Sequence, residues 1–360
     1  MSKHLKLYVC SRYDKMKIIA EHILDAEYSL HRERTLFGKW IHYTHIAPLL
    51  EKLGGILSVT TIGSSENNVP IHTVTFGSGS KKILIWTQMH GNESTGTKAL
   101  FDFLNCISTA QDGLFKTILK ECRIVCIPML NPDGALKYTR VNQHGIDLNR
   151  DAVDLAAKES RFLRQVLEEF QPDFCFNMHD QRTIFGVEGT ENPASISFLA
   201  PSEEETRQLT AGRIKTMNVI VAMNTLLQKV IPNHIGRYTD EFYPTATGDN
   251  FQKMGYNTML IEAGHYPNDY DREAVRKFNF FALVQGVYHI ATAANFQDYT
   301  PYFSIPNNQK NFFDVIENTE KEGVEKGYLY VDAVVDGVFT SSLQLEKEGV
   351  LSDYLAHGRI

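Results

Sequence analysis

Lys81-Lys82-Ile83-Leu84-Ile85-Trp86-Thr87-Gln88-Met89-His90-Gly91-Asn92-Glu93 is the stretch that decides the fold. Four consecutive apolar residues preceded by lysines read as a strand buried on both faces. Downstream, Thr95 to Cys106 reads as a helix and Arg123 to Met129 as a second buried strand. The alternation continues with a helix over Glu159 to Phe170, a strand over Asp173 to Met178 and a long helix over Glu203 to Val230. A fourth strand at Thr258 to Ile261 and a helix over Arg272 to Ala294 complete it. Strands alternating with helices predict an α/β layered fold with a largely parallel central sheet. Four of these strands run into polar residues, His90, Asn131, His179 and Glu262. Ligands bind at the carboxyl ends of strands in open α/β sheets, so these four residues already outline a site.

Outward from this core, residues 1–55 read as helical, with Phe37 to His42 leading into a periodic segment at His45 to Leu53. Ile56 to Phe76 alternates in the β manner around a turn at Gly63 to Asn68. After Tyr299 the character changes. Pro301, Pro306 and Asn307-Asn308-Gln309 read as a linker, and Tyr328 to Val335 with Val338 to Leu345 form a hairpin through Asp336-Gly337. The expected organisation is a catalytic domain over 1–298 and a small β-rich appendage over 299–360.

The chain has 360 residues, 43% of them hydrophobic, and a net charge of −7. An α/β core absorbs about 250–300 residues as one unit. The acidic balance argues against a protein that grips nucleic-acid backbones. No apolar run approaches the roughly 20 residues of a membrane span, and no signal-peptide h-region is recognisable, so a cytoplasmic location is expected. Five cysteines make a disulfide framework unexpected; they read as ordinary thiols.

The chemistry starts at His90-Gly91-Asn92-Glu93. A His and a Glu three residues apart can point the same way over one helical turn and offer nitrogen and oxygen to one cation. His179, at the end of another buried strand, is a suitable third ligand. Two His and one Glu make the usual open catalytic zinc site. Zinc lowers the pKa of its water towards about 7 and polarises a carbonyl. A general base is still required, and Glu262 at the end of the fourth strand can supply it. Asn131-Pro132-Asp133-Gly134 is a turn on any reading. Arg140 and Arg150 lie near apolar strand ends, and a planar guanidinium suits either a carboxylate or an oxyanion.

Taken in order, His-x-x-Glu, Asn-Pro-Asp-Gly, Arg140, Asp147-Leu148-Asn149-Arg150, His179 and Glu262 resemble the carboxypeptidase A-like zinc metallocarboxypeptidases, in their bacterial type. The match runs from about residue 80 to 265. The resemblance implies a three-layer α/β/α sandwich around a mixed, mostly parallel sheet of about eight strands, with one zinc ion per chain. It implies His90, Glu93 and His179 as zinc ligands, Glu262 as the base and Arg140 as the partner of the oxyanion. Asn149 and Arg150 are implied to hold a substrate's free C-terminal carboxylate, and Asp147 to orient the first zinc histidine. Tyr243, ahead of Pro244 to Gly248, fits the family's mobile tyrosine approximately, with Tyr238 as competitor. Asp249 falls in the specificity turn and would favour a basic side chain, unless it merely caps that turn. His265 reads as a structural histidine, and Asp180, Gln181 and Arg182 as pocket-lining residues.

The expected activity is hydrolysis of the C-terminal peptide bond of a peptide. Two other readings compete. Aspartoacylase-like and succinylglutamate desuccinylase-like amidohydrolases resemble the chain in His-Gly-Asn-Glu and Asp-Leu-Asn-Arg, and cleave small N-acyl amino acids. Asn-Pro-Asp-Gly and the long interval from His179 to Glu262 favour the peptidase. A binding protein that has lost catalysis is disfavoured because every expected catalytic residue is present.

Overall fold

A computed structural model describes residues 16–111 and 113–360. The reading of residues 1–15, including Cys10, lies outside the described residues. Two helices, α1 (Glu21–His31) and α2 (Tyr43–Gly54), precede the hairpin of β1 (Ser58–Ser64) and β2 (Pro70–Phe76). Strand β3 (Lys81–Thr87) is followed by α3 (Thr95–Thr109), α4 (Gly113–Glu121), β4 (Cys122–Ile127) and the short α5 (Pro132–Lys137). Helix α6 (Lys158–Phe170), β5 (Phe174–Asp180), β6 (Phe185–Val187) and β7 (Ile196–Leu199) come next. Then follow α7 (Ala211–Val230), β8 (Ile235–Arg237), α8 (Thr247–Lys253), β9 (Asn257–Ala263) and α9 (Glu273–Thr292).

Eight strands form one mixed sheet in the order β1-β2-β4-β3-β5-β9-β7-β8. The centre is parallel, β4-β3-β5-β9, and antiparallel pairs join β2 to β4 and β7 to β9. The continuous apolar run of β3 has the expected cause. Ile83 and Ile85 pack into the core under α3, α7 and α9, while Leu84 and Trp86 pack into the opposite core under α6 and α8. Helices therefore cover both faces, giving the three-layer α/β/α arrangement the resemblance implied.

Two local readings are corrected. The long helix begins at Ala211 rather than Glu203, because the Thr210 hydroxyl caps it by accepting the Arg213 N–H at 3.1 Å. Upstream, the Glu204 carboxylate accepts the N–H groups of Thr206 and Gln208 and holds that segment in a turn. Asn131-Pro132-Asp133-Gly134 opens a helix. The Asn131 side chain accepts the Gly134 N–H at 2.9 Å and Pro132 occupies the first turn, where a missing N–H costs nothing.

The C-terminal region carries β10 (Asn308–Lys310), β11 (Phe312–Asn318), β12 (Glu325–Val335), β13 (Val338–Gly349) and β14 (Leu355–Arg359). The last four form a sheet in the order β13-β12-β11-β14, and the β12–β13 turn holds Asp336 and Gly337 at φ 50° and 75°. Positive φ at both positions is what an Asp-Gly hairpin turn supplies. The stretch read as a linker is packed against the core instead. Tyr302 is buried with its hydroxyl accepting the Ala200 N–H, and β10 pairs antiparallel with β6. Asn308 lies so close over Gly236 that a Cβ there would stand 1.8 Å from its Oδ1.

Candidate metal centre and cleft

The carboxyl ends of β3, β5 and β9 open into a cleft of about 1090 Å³. His90 leaves β3 in a tight turn closed by the Glu93 N–H bonding the His90 carbonyl, so the two residues sit on a reverse turn ahead of α3 rather than within a helix. Gly91 is required there. A Cβ would stand 2.0 Å from the Gly134 carbonyl carbon, so the turn packs directly onto the backbone of α5.

Donor atoms of His90, Glu93 and His179, all buried, lie within 4.8 Å of one another. His90 Nδ1 stands 2.7 Å from Glu93 Oε1, His179 Nδ1 is 2.8 Å from Glu93 Oε2, and the two Nδ1 atoms are 3.2 Å apart. Two ligands about 2.0–2.1 Å from a tetrahedral ion stand roughly 3.3 Å apart, so this set fits zinc. Each imidazole nitrogen also faces one oxygen of the Glu93 carboxylate, so the nitrogen and oxygen donors converge on a single point. Behind His90, its Nε2 meets Asp147 Oδ1 at 3.1 Å, which fixes the ring and turns Nδ1 towards the centre.

The charges are arranged to match. Burial disfavours ionisation of Glu93, but His90 and His179 outweigh it and hold the carboxyl well below its ordinary range. Asp147 is likewise held low, against its partial burial, by His90 and Arg140. Burial pushes His179 below the ordinary imidazole value, which favours the neutral form a metal needs. Glu262 faces His179 across the β5–β9 pair, and burial, then Glu93 and Asp180, push its carboxyl well above the usual range. A cation held by the neighbouring donors would oppose that shift and favour the carboxylate form that accepts a proton.

Arg140 donates from Nε to Asp147 Oδ2 at 2.9 Å and brings Nη1 within 3.2 Å of His90 Nδ1, so its guanidinium flanks the centre. Asn149 follows on a short 3-10 turn, with its N–H donating to Asp147 Oδ1 and its Oδ1 accepting the Thr247 N–H. Arg150 is exposed and lies 5.5 Å over the Tyr243 ring. Neither Asp151 nor Asp180 pairs with it. Asp151 accepts the N–H groups of Ala156 and Ala157, and Asp180 accepts both donors of Thr95. Asp249 lines this end of the cleft and accepts the Tyr243 N–H at 3.1 Å, and burial pushes its carboxyl up to about 6.

The two tyrosines stand at different places. Tyr243 is exposed beside Arg150; Tyr238 is half-buried, with desolvation and the nearby charges of Glu262 and Glu93 raising its phenol far above the usual value. His265 is buried, with its ring tilted against that of His357 and ring centres 4.0 Å apart. Asp180, Gln181 and Arg182 line the cleft as expected. Sequence reasoning missed Lys39, Tyr270, Arg272, Tyr330 and Asp332, which line it too. No spacing in the sequence connects them to the metal donors.

The sequence profile described as zinc carboxypeptidase matches residues 43–226, just over half of the chain. The chain belongs to the zinc carboxypeptidase family. It is 30% identical over 103 residues to a probable carboxypeptidase 2 of Trichophyton verrucosum, covering 28% of this chain and 20% of that protein. It is 33% identical over 129 residues to carboxypeptidase D of Anas platyrhynchos, covering 32% of this chain and 9% of that one. The matched stretch thus spans a fifth or less of these relatives. Among solved structures, a metallo-carboxypeptidase from Burkholderia cenocepacia superposes with a TM-score of 0.55 at 18% identity, covering 70% of each chain. Thrombin-activatable fibrinolysis inhibitor gives 0.58 at 12% identity, covering 76% of this chain and 81% of that one. At these identities the likeness is one of fold. Glu262, Tyr243 and Asp249 lie beyond the part the family profile matches.

Proposed function

We propose that the protein is a zinc-dependent carboxypeptidase that removes the C-terminal residue of a peptide. The observation that carries this reading is the convergence of His90, Glu93 and His179, braced by Asp147, with Glu262 and Arg140 facing the same point. The family and its relatives, named carboxypeptidases, support the substrate class. His90, Glu93 and His179 would hold one zinc ion, which when bound polarises the scissile carbonyl and acidifies water. Arg140 presents its guanidinium to the carbonyl oxygen as negative charge develops there. Glu262 takes a proton from the attacking water and passes it to the leaving amine nitrogen. Asn149 and Arg150 bind the terminal carboxylate, placing the last peptide bond rather than an internal one at the centre.

The test is digestion of a free-acid peptide library read by mass spectrometry, with zinc content measured in parallel. Loss of single C-terminal residues, abolished by chelator and restored by zinc, is expected. Cleavage of N-acyl amino acids without cleavage of peptides would replace this reading with an amidohydrolase.

A further inference from the structure

The C-terminal four-stranded sheet reaches the cleft. Leu329, Tyr330, Val331 and Asp332 of β12 line the same cavity as His90, Glu93, His179 and Glu262. This wall is fixed from behind by one buried carboxylate. Asp314, 1% exposed, accepts the Tyr270 hydroxyl at 3.0 Å, the Tyr330 N–H at 2.8 Å and the Thr183 hydroxyl at 3.1 Å. One carboxylate thereby ties β11, β12, the loop after β9 and the loop after β5 together. A second tie stands at the front, where Lys39 pairs with Asp332 Oδ2 at 2.5 Å while its ammonium faces the rings of Tyr270 and Phe339. A third is the edge-on contact of Tyr138 with Phe339, ring centres 5.0 Å apart.

These ties decide what the wall offers a ligand. Asp332 is neutralised by Lys39, and Asp314 is sealed behind three donors, so the wall presents little net charge. What remains open to the cleft is ring and aliphatic surface. Tyr330 is 37% exposed and Val331 42%, and Tyr330 lies edge-on to Tyr270 with ring centres 5.0 Å apart. Large exposed apolar surface rimmed by polar groups and continuous with a reactive centre marks a contact for a ligand. Its rigidity lowers the ordering cost of binding.

The position follows from chain continuity, and this step rests on the carboxypeptidase reading. The substrate's last residue extends towards Arg150, Tyr243 and Asp249. The rest of the peptide must leave the metal centre by the other side, past the N-terminal end of α3 and the end of β5. Lys39 belongs to that side, since its carbonyl accepts the Ser94 hydroxyl just ahead of α3. Asp180, at the end of β5, bonds Thr95 at the first position of the same helix. We infer that Tyr330, backed by Tyr270 on the C-terminal sheet, forms a subsite for an aromatic or large aliphatic side chain on the residue preceding the scissile bond.

The test uses the full chain loaded with zinc and N-blocked dipeptides that share one C-terminal residue and carry Phe, Leu, Ala or Asp before it. Edge-on ring contact and burial of a large apolar side chain both favour the Phe substrate. The Phe substrate should therefore exceed the Ala substrate by at least about tenfold in kcat/KM, chiefly through KM. Tyr330→Ala should remove most of that advantage, slowing the Phe substrate several-fold more than the Ala substrate. Tyr330→Phe should retain it, which guards against a variant that is merely misfolded. Equal rates for Phe and Ala substrates in the wild-type protein would overturn the subsite. So would a Tyr330→Ala variant, with zinc content and melting temperature unchanged, that slows both substrates alike. Equilibrium binding of the same peptides to zinc-loaded Glu262→Gln reads the Phe-over-Ala ratio without turnover. If no dipeptide is hydrolysed, the carboxypeptidase reading fails while that binding ratio still upholds or overturns the subsite.

Discussion

At one end of the cleft, Arg140, Asn149 and Arg150 come from a single short stretch of chain, and Tyr243 and Asp249 from a second one. At the other end, Lys39, Tyr270 and the pair Tyr330 and Asp332 come from three separate parts of the sequence and meet only because three layers and an added sheet are assembled. The first end carries charges and hydrogen-bond donors at fixed points. The second presents surface. Charged groups placed against reacting atoms change rates by orders of magnitude, whereas apolar surface changes affinity in proportion to area. The two ends should therefore differ both in how large their mutational effects are and in whether those effects fall on turnover or on binding.

The centre between the ends should give the largest effect. Glu262→Gln preserves shape and removes the proton acceptor, so kcat should fall by about 10²–10⁴, the range of general-base catalysis. Zinc content should be unchanged, because Glu262 is outside the donor set. Steady-state kinetics with elemental analysis on the same preparation checks both. Turnover within tenfold of wild type would remove Glu262 from proton transfer.

Next in size comes the charged end. Arg150 is exposed, so its pairing with a substrate carboxylate is screened by solvent; hydrogen bonds to a charged group contribute about 1.5–3 kcal/mol, or roughly 10- to 150-fold at about 1.4 kcal/mol per decade. A peptide amidated at its C-terminus should be cleaved more slowly than its free acid by a factor in that range. Arg150→Ala should erase most of the difference by slowing the free acid, leaving the amide nearly as it was. Equal kcat/KM for acid and amide in the wild-type protein would break the contrast between the two ends and leave an endopeptidase or amidase.

How much of this is legible in the sequence follows the same division. The strands at Ile83–Trp86, Asp173–Met178 and Thr258–Ile261 are visible because a strand covered on both faces is a continuous apolar run, and that run ends where the chain reaches the polar cleft. His90 with Glu93, and Arg140 with Asp147, Asn149 and Arg150, are visible because covalent neighbours share a fixed geometry. Residues 203–210 read as helix because Glu, Arg, Gln and Leu are good helix formers. The side-chain hydrogen bonds of Glu204 and Thr210, the Arg213 guanidinium on the Arg207 carbonyl and a left-handed Arg207 at φ 58° separate that turn from α7. The segment Pro301–Gln309 has the composition of a linker. Yet Tyr302 is buried against Ala200 and Asn308 packs over Gly236, partners far away along the chain. Contacts set by topology leave no periodic trace, which is why the Tyr330 wall has no signature in the sequence.

Asp249 offers the smallest and most discriminating comparison, because it stands at the charged end yet has a structural role to compete with. Its Oδ1 accepts the Tyr243 N–H, which closes the turn, and this bond alone would account for an aspartate there. Burial pushes its carboxyl up to about 6, so in the folded protein its charge appears only as pH rises through that value. If the carboxylate reads the substrate's side chain, the ratio of kcat/KM for a C-terminal Lys over a C-terminal Leu should rise across the same window. A screened charge pair at about 4 Å contributes roughly 1 kcal/mol in a water-like medium, which corresponds to about a fivefold rise in the ratio. Comparing the ratio between about pH 5 and pH 7 cancels the titration of Glu262 and the metal centre, since both substrates share them. Asp249→Asn keeps an acceptor for the Tyr243 N–H and removes the charge, so its ratio should stay flat with pH while the fold is retained. A flat ratio in the wild-type protein would instead leave Asp249 with the turn alone. The charged end would then read only the terminal carboxylate, and side-chain selection would pass to the apolar wall across the cleft.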